Sequence, residues 1–175
     1  MRILITGVGG SGKSTIIKKL SERGGIDIDL DTTGLCFWVN KQTGERAEYK
    51  EGAGGQWLHD HSWKLDVTGL IELLKTFSQE ETVYVGGKIA KSQLNEVNEL
   101  FDKIFLLRPS DAILSHRQGT RTNKENKFAK SKDEQRHILE KRKEFEEECL
   151  RVGAILIDAD KSVEEIVNTI ALLAA

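Results

Sequence analysis

The chain has 175 residues, 38% hydrophobic and 31% charged, with a formal net charge of −2 at pH 7. That length suits one domain over residues 1–175, able to bury about 70% of its unfolded surface without staples, and the composition excludes a disordered or fibrous chain. The near-neutral charge gives no reason to expect nucleic acid as a partner, no apolar run reaches the ~20 residues of a membrane span, and two distant cysteines, Cys36 and Cys149, exclude a disulfide framework.

Ile3-Leu4-Ile5 predicts a short buried strand, too brief and too soon broken by glycines to be a signal peptide. A reducing cytoplasm is therefore the expected setting. Ile16, Ile17 and Leu20 mark an amphipathic helix over 14–20. Residues 26–31 alternate strictly, with Ile26, Ile28 and Leu30 on one face and Asp27, Asp29 and Asp31 on the other. A central parallel strand is apolar on both faces, so this one is expected at a sheet edge. Residues 32–64 hold five glycines, all three tryptophans and no clear period. Val67, Leu70, Ile71, Leu74 and Phe77 then repeat at helical spacing, Val83-Tyr84-Val85 predicts a strand, and Leu94, Val97 and Phe101 a further helix.

Residues 104–107 read as a buried strand that Pro109 terminates, and Ser110 is placed to cap a helix carrying Ile113 and Leu114. Residues 119–132 are polar and basic. A last strand is expected over 154–157, and Ser162 with Glu165 forms a capping box ahead of Val163, Ile166, Val167 and Ile170. Strands alternating with helices predict an α/β domain of three layers, a parallel sheet with helices on both faces. The two aperiodic stretches are candidate functional loops, which in such sheets gather at the carboxyl ends of the strands.

Gly7-Val8-Gly9-Gly10-Ser11-Gly12-Lys13-Ser14 matches G-x-x-x-x-G-K-[ST] in full, between an apolar strand and an amphipathic helix. Glycines let successive backbone N–H groups point inward as an anion nest, and the helix start adds its positive dipole end. Gly9, Gly10, Ser11, Gly12 and Lys13 are thus candidates for cradling the phosphates of ATP. Ser14 is the candidate Mg²⁺ ligand and Thr15 a further phosphate contact. A guanine-reading Asn-Lys-x-Asp is missing: Asn40-Lys41-Gln42-Thr43 and Asn123-Lys124-Glu125-Asn126 both lack the aspartate. The third strand ends in Gly86-Gly87 without the acidic residue of a large ATPase.

These pieces resemble the small P-loop kinases of the nucleoside/nucleotide-kinase and shikimate-kinase-like superfamily over nearly the whole length. The residues that carry the resemblance are the loop at 7–14, Asp29-Leu30-Asp31, Gly86-Gly87, Arg117-Gln118-Gly119-Thr120-Arg121, and a charged helix containing Lys141-Arg142, whose run Glu140-Lys141-Arg142-Lys143-Glu144 by itself reads as a solvated helix with i,i+4 ion pairs. It implies a five-stranded parallel sheet of order 2-3-1-4-5, an acceptor-binding insertion at 32–64 and a lid at 117–132. Gly86 and Gly87 would face the acceptor; the first aspartate of the pair, Asp29, would stand near Mg²⁺ and the second, Asp31, on the acceptor hydroxyl. Two departures stand out: that branch has three glycines where this chain has two, and residues 32–64 look unlike a shikimate site.

Physical chemistry assigns compatible roles. Period 2 puts Asp29 and Asp31 on one face at a strand's carboxyl end, to orient a hydroxyl, accept its proton or bond a Mg²⁺-bound water; an edge strand showing solvent its polar face explains Asp27 as well. Arg117 and Arg121, four apart, are candidates for stabilising the moving phosphoryl charge. Trp38, nearest the aspartates, is the candidate aromatic contact for the acceptor, against a reading of the tryptophans as a satellite hydrophobic cluster. His59-Asp60-His61 lacks an evident third ligand for a metal. The expected function is an ATP-dependent kinase of a small acceptor, with a nucleoside or nucleoside monophosphate ahead of a polyol or hydroxy acid. A nucleotide-driven switch is the alternative of a different class, and ADP release without an acceptor separates the two.

Overall fold

The structure, a computed structural model, describes residues 1–120 and 131–175. In chain order the strands are β1 (Arg2–Thr6), β2 (Ile26–Asp29), β3 (Cys36–Asn40), β4 (Arg46–Ala47), β5 (His61–Leu65), β6 (Val83–Gly86), β7 (Lys103–Arg108) and β8 (Ile155–Asp158). The helices are α1 (Lys13–Ser21), α2 (Gly54–Asp60), α3 (Val67–Lys75), α4 (Leu94–Val97), α5 (Asp111–Gly119), α6 (Lys132–Arg151) and α7 (Val163–Ala174).

Five strands form a parallel sheet in the order β2-β6-β1-β7-β8, and three form a second, antiparallel sheet, β4-β3-β5. The expected numbering took no account of the small sheet, which inserts three strands between the second and third of the large one. Its residues escape period-2 reading because both faces of β3 are half-buried and none is sealed. β2 is an edge strand, as its alternation requires.

Alternation divides the core. Leu4, Val85, Ile104 and Leu106 point to the layer holding α3, α4 and α6, where they meet Leu70, Leu94, Ile138 and Phe145. Ile3, Ile5, Phe105 and Leu107 point the other way, to α1 and α7, against Ile16, Ile17, Val167 and Ile170. The predicted caps form: Ser110 accepts from the Ile113 N–H, and Ser162 with Glu165 closes a capping box. A second capping box, Ser131 with Glu134, opens α6.

One strand boundary departs from expectation. Residues 26–31 do not run as a single strand: β2 stops at Asp29 and residues 30–32 turn as a short 3-10 helix. The Asp29 carboxylate caps that turn by accepting from the Asp31 N–H at 3.1 Å, an Asx device that competes with strand pairing. Asp29 and Asp31 therefore do not share a strand face.

Candidate functional site

Residues 7–12 join the carboxyl end of β1 to α1 in a tight loop, with Ser11 N–H donating to the Val8 carbonyl at 3.1 Å. Gly12 stands at the helix N-cap with φ 102°, a left-handed conformation that L side chains resist. At Gly7 a Cβ would meet the Leu107 carbonyl oxygen at 2.8 Å, so only glycine lets the loop leave the sheet there. No side chain caps α1 and no acidic residue sits in its first turn, which leaves amide donors and a positive helix end for an anion.

Lys13 lies across this cradle, its Nζ donating to the carbonyls of Gly7 at 3.0 Å and Val8 at 3.2 Å. Ser14 and Thr15 are exposed on the first turn of α1. Thr6 Oγ1 and Ser11 Oγ are buried with no hydrogen-bond partner among the described residues. Gln118 is a residue the sequence reading passed over; its Nε2 donates to the Gly9 carbonyl at 2.6 Å and its chain packs where a Gly10 Cβ would stand. The donor set fits a triphosphate: loop amides and Lys13 would hold the phosphates, and Ser14 would take the metal ion.

The register across the sheet places the aspartate. Ile5 of β1 is level with Gly86 of β6, and Gly86 with Asp29 of β2. Asp29 thus stands two strand spacings, about 10 Å, from the strand that leads into the phosphate loop. It is half-buried, whereas Asp31 is exposed. Both carboxylates bear on Cys36 of β3: burial first, then Asp31 and Asp29, push that thiol up to about 12.

Gly86 and Gly87 are explained by packing. A Cβ on Gly86 would sit 2.8 Å from Ile17 Cδ1, and one on Gly87 2.8 Å from Leu30 Cδ1. The Gly87 N–H is committed to the Ile5 carbonyl at 3.2 Å. Their absent side chains let β6 press against α1 on one side and the turn after β2 on the other.

Arg117 does not hang in solvent. From α5 it donates to the carbonyls of Ser11 at 3.4 Å and Ala159 at 3.0 Å, forming a wall beside the phosphate loop. Arg121, and most of the proposed lid, lie outside the described residues. Arg142, read from its charged run as a solvated helix residue, is buried: it pairs with Glu146 at 2.6 Å and Asp111 at 2.7 Å and donates to the Pro109 carbonyl, tying α6 to the start of α5.

The tryptophans assemble into one cluster. Trp38 meets Trp57 and Trp63 edge-on, each at 5.1 Å between ring centroids, and Tyr49 adds an edge contact to Trp57 at 5.4 Å. Trp63 Nε1 donates to the Lys88 carbonyl at 3.0 Å, joining the small sheet to the end of β6. His61 stacks on Trp57 at 4.0 Å and His59 bonds Asp60 at 3.1 Å. Among the described residues no group of three or more His, Cys, Asp or Glu is arranged to hold a metal.

A latch fixes this subdomain to α6. Glu134, fully buried, accepts from the Tyr49 hydroxyl at 2.6 Å and the Gly54 N–H at 3.3 Å, and Asp133 accepts from the Gly55 N–H at 2.5 Å. Burial and the Glu134 carboxylate raise the Tyr49 hydroxyl well above its ordinary value.

A phosphate loop on the first strand, strand order β2-β6-β1-β7-β8 and an acidic residue on the edge strand together point to one fold. Solved structures agree. Shikimate kinase from Acinetobacter baumannii in complex with shikimate matches at TM-score 0.63, 18% identical, over 99% of this chain and 92% of that one. The chain has the fold of the small P-loop kinases. A gluconokinase from Sinorhizobium meliloti 1021 matches at TM-score 0.58, 19% identical, over 99% and 91% of the two chains. Deoxyadenosine kinase from M. mycoides with bound dATP matches at 0.57, 15% identical, over 99% and 98%. Among curated proteins, a bifunctional shikimate kinase/3-dehydroquinate synthase of Thermotoga maritima is 29% identical over 162 residues, 87% of this chain but only 29% of that protein's length. No family model matches. Kinases are found by sequence and by structure alike, and the likeness in structure shows the P-loop kinase fold. Among the described residues no helix is long and apolar enough to cross a membrane.

Proposed function

We propose that this chain is an ATP-dependent kinase transferring the γ-phosphoryl group to a hydroxyl or phosphate of a small molecule. The observation that carries the reading is the register that sets Asp29 level with Gly86 and Ile5, about 10 Å from a loop built to hold phosphate. That gap suits an acceptor held between the two, at the carboxyl edge where open α/β sheets bind ligands.

Phosphoryl transfer asks for positioning and charge neutralisation more than covalent help. Lys13 and the loop amides of Gly9, Gly10, Ser11 and Gly12 hold the donor's phosphates, and Ser14 holds Mg²⁺, which when bound would neutralise charge on the phosphate oxygens. Asp29 orients the acceptor hydroxyl and takes its proton. Asp29 is preferred to Asp31 because it is half-buried and level with the other strands, while Asp31 is exposed beyond the turn. Arg117 adds positive charge beside the loop, and Arg121 remains the proposed lid arginine. Residues 32–64 form the acceptor side, with Trp38 in its wall.

The acceptor falls in one of three classes: a nucleoside, a nucleoside monophosphate, or a polyol or hydroxy acid. The tryptophans do not rank them, because their rings pack on one another. The neighbours, two hydroxy-acid kinases and a deoxynucleoside kinase by name, do not rank them either. A panel of the three classes, read by coupled ADP formation, tests the proposal. Acceptor-dependent ADP release supports a kinase; ATP hydrolysis unchanged by any acceptor supports a switch instead.

A further inference from the structure

The chain departs from its resemblance directly after Gly86-Gly87, and the residue there is Lys88. Its backbone is pinned: the Gly87 N–H bonds Ile5, and the Lys88 carbonyl accepts from Trp63 Nε1. The residue lies no more than about 7 Å of chain beyond Gly86, which pairs with Asp29. Lys88 is therefore fixed between the aromatic subdomain and the carboxyl edge of the sheet.

Its ammonium has unusual company. Nζ lies 5.3 Å from the centroid of the Phe145 ring on α6, one turn from Cys149, and both of those residues are buried. Burial pushes the Lys88 pKa down, and the one opposing influence is the Cys149 thiol, itself pushed up to about 12 and so uncharged at neutral pH. His137, farther along α6, is held below its ordinary value by burial, with Lys88 and Lys41 among the minor contributors. Among the described residues no carboxylate pairs with the Lys88 ammonium and no acceptor takes a hydrogen bond from it.

Arg142, a buried cation on α6 itself, shows what a structural role looks like. Arg142 has Glu146, Asp111 and the Pro109 carbonyl. A desolvated cation without such partners is costly to fold around, and removing that cost requires an anion. The Lys88 ammonium is itself buried, while the residue as a whole keeps part of its surface exposed. Face-on contact with Phe145 favours the charged form as well.

We propose that Lys88 selects the acceptor by charge, its ammonium receiving a carboxylate or phosphate group of the molecule held between Asp29 and the phosphate loop. The inference rests on the kinase reading and narrows it: a neutral nucleoside has nothing to give this residue, whereas a hydroxy acid or a nucleoside monophosphate does. Lys88 is a specificity-determining residue, distinct from the Asp29 that meets the reacting hydroxyl.

Two measurements test it. In the first, initial rates are taken with shikimate, D-gluconate, AMP and deoxyadenosine for the wild type, Lys88→Met and Lys88→Arg. The wild type uses a carboxylate or phosphate acceptor in preference to deoxyadenosine, and which of the three it uses separates carboxylate from phosphate recognition. Lys88→Met lowers kcat/KM for that acceptor about 10- to 100-fold, moves KM for ATP less than about threefold, and Lys88→Arg recovers most of the loss. Preference for deoxyadenosine, or equal losses toward acceptor and ATP, overturns the proposal.

The second measurement needs no turnover. The full chain, labelled at lysine ¹³Cε, is titrated with the same three anionic compounds and inorganic phosphate, the Lys88 signal being assigned through Lys88→Arg. A shift with an anion and none with deoxyadenosine supports the proposal; a stationary signal with all of them overturns it. If no compound accepts phosphate, the kinase reading falls on the first measurement while the second still decides whether Lys88 binds anions.

Discussion

The phosphate loop and the aromatic subdomain border the same edge of the parallel sheet, yet they are held by opposite means. The loop is built from main-chain atoms: a left-handed Gly12, a close approach at Gly7 and a lysine folded onto two carbonyls. The subdomain is built from side chains: three tryptophans edge to edge, an indole bonded to Lys88, and carboxylates of α6 reaching its amides. A main-chain site can bind any polyphosphate and says little about the partner substrate. On the proposed reading, the side-chain half is where the identity of the acceptor is decided.

Substitutions on the two sides should therefore fail differently. The largest effect is expected at Lys13: Lys13→Ala should cost at least about 100-fold in turnover while circular dichroism and the unfolding midpoint stay near wild type, because its two hydrogen bonds are to loop carbonyls. Next is Asp29→Asn. Asparagine caps as well as aspartate, so the turn at residues 30–32 survives, and kcat should fall about 100-fold with KM for ATP nearly unmoved. Equal losses in kcat and ATP affinity would remove Asp29 from the acceptor side.

On the side-chain half, stability should respond before chemistry. Glu134→Ala leaves the Tyr49 hydroxyl and the Gly54 amide without their acceptor and should cost about 2–3 kcal/mol in urea unfolding. Trp63→Phe removes one indole hydrogen bond and part of an edge contact, for about 1–2 kcal/mol. The last test concerns Cys149 and is confined to alkaline pH. Its thiol is raised from 9.0 to about 12, chiefly by burial, so the folded state prefers the neutral form. The stability this confers is complete below pH 9 and is lost as pH rises toward 12. The gap in unfolding free energy between wild type and Cys149→Ala should narrow over that range.

Legibility followed the same division. The phosphate loop, the five parallel strands and the Ser110 and Ser162 caps could be read because each is written in neighbouring residues. The end of β2 could not: alternation continues through Asp31, but a carboxylate bonded two residues on breaks the strand at Asp29. The small sheet was hidden because β3, its middle strand, is half-buried on both faces and draws its order from distant partners, with Trp38 meeting Trp57, 19 positions on, and Trp63, 25 positions on. Arg142 was misread because its carboxylate partner Asp111 lies on another helix. Lys88 carried one signal, a charged residue straight after two glycines at the end of a buried strand, and its meaning emerged only once Phe145 and Cys149 were beside it.

The bonds from Glu134 and Asp133 to Tyr49, Gly54 and Gly55 have a practical consequence for recombining parts between proteins. Transplanting residues 32–64 alone into another scaffold would leave two amides and a phenol facing foreign side chains. A working chimera has to carry the opening turn of α6 as well, although some seventy positions of sequence separate the two pieces.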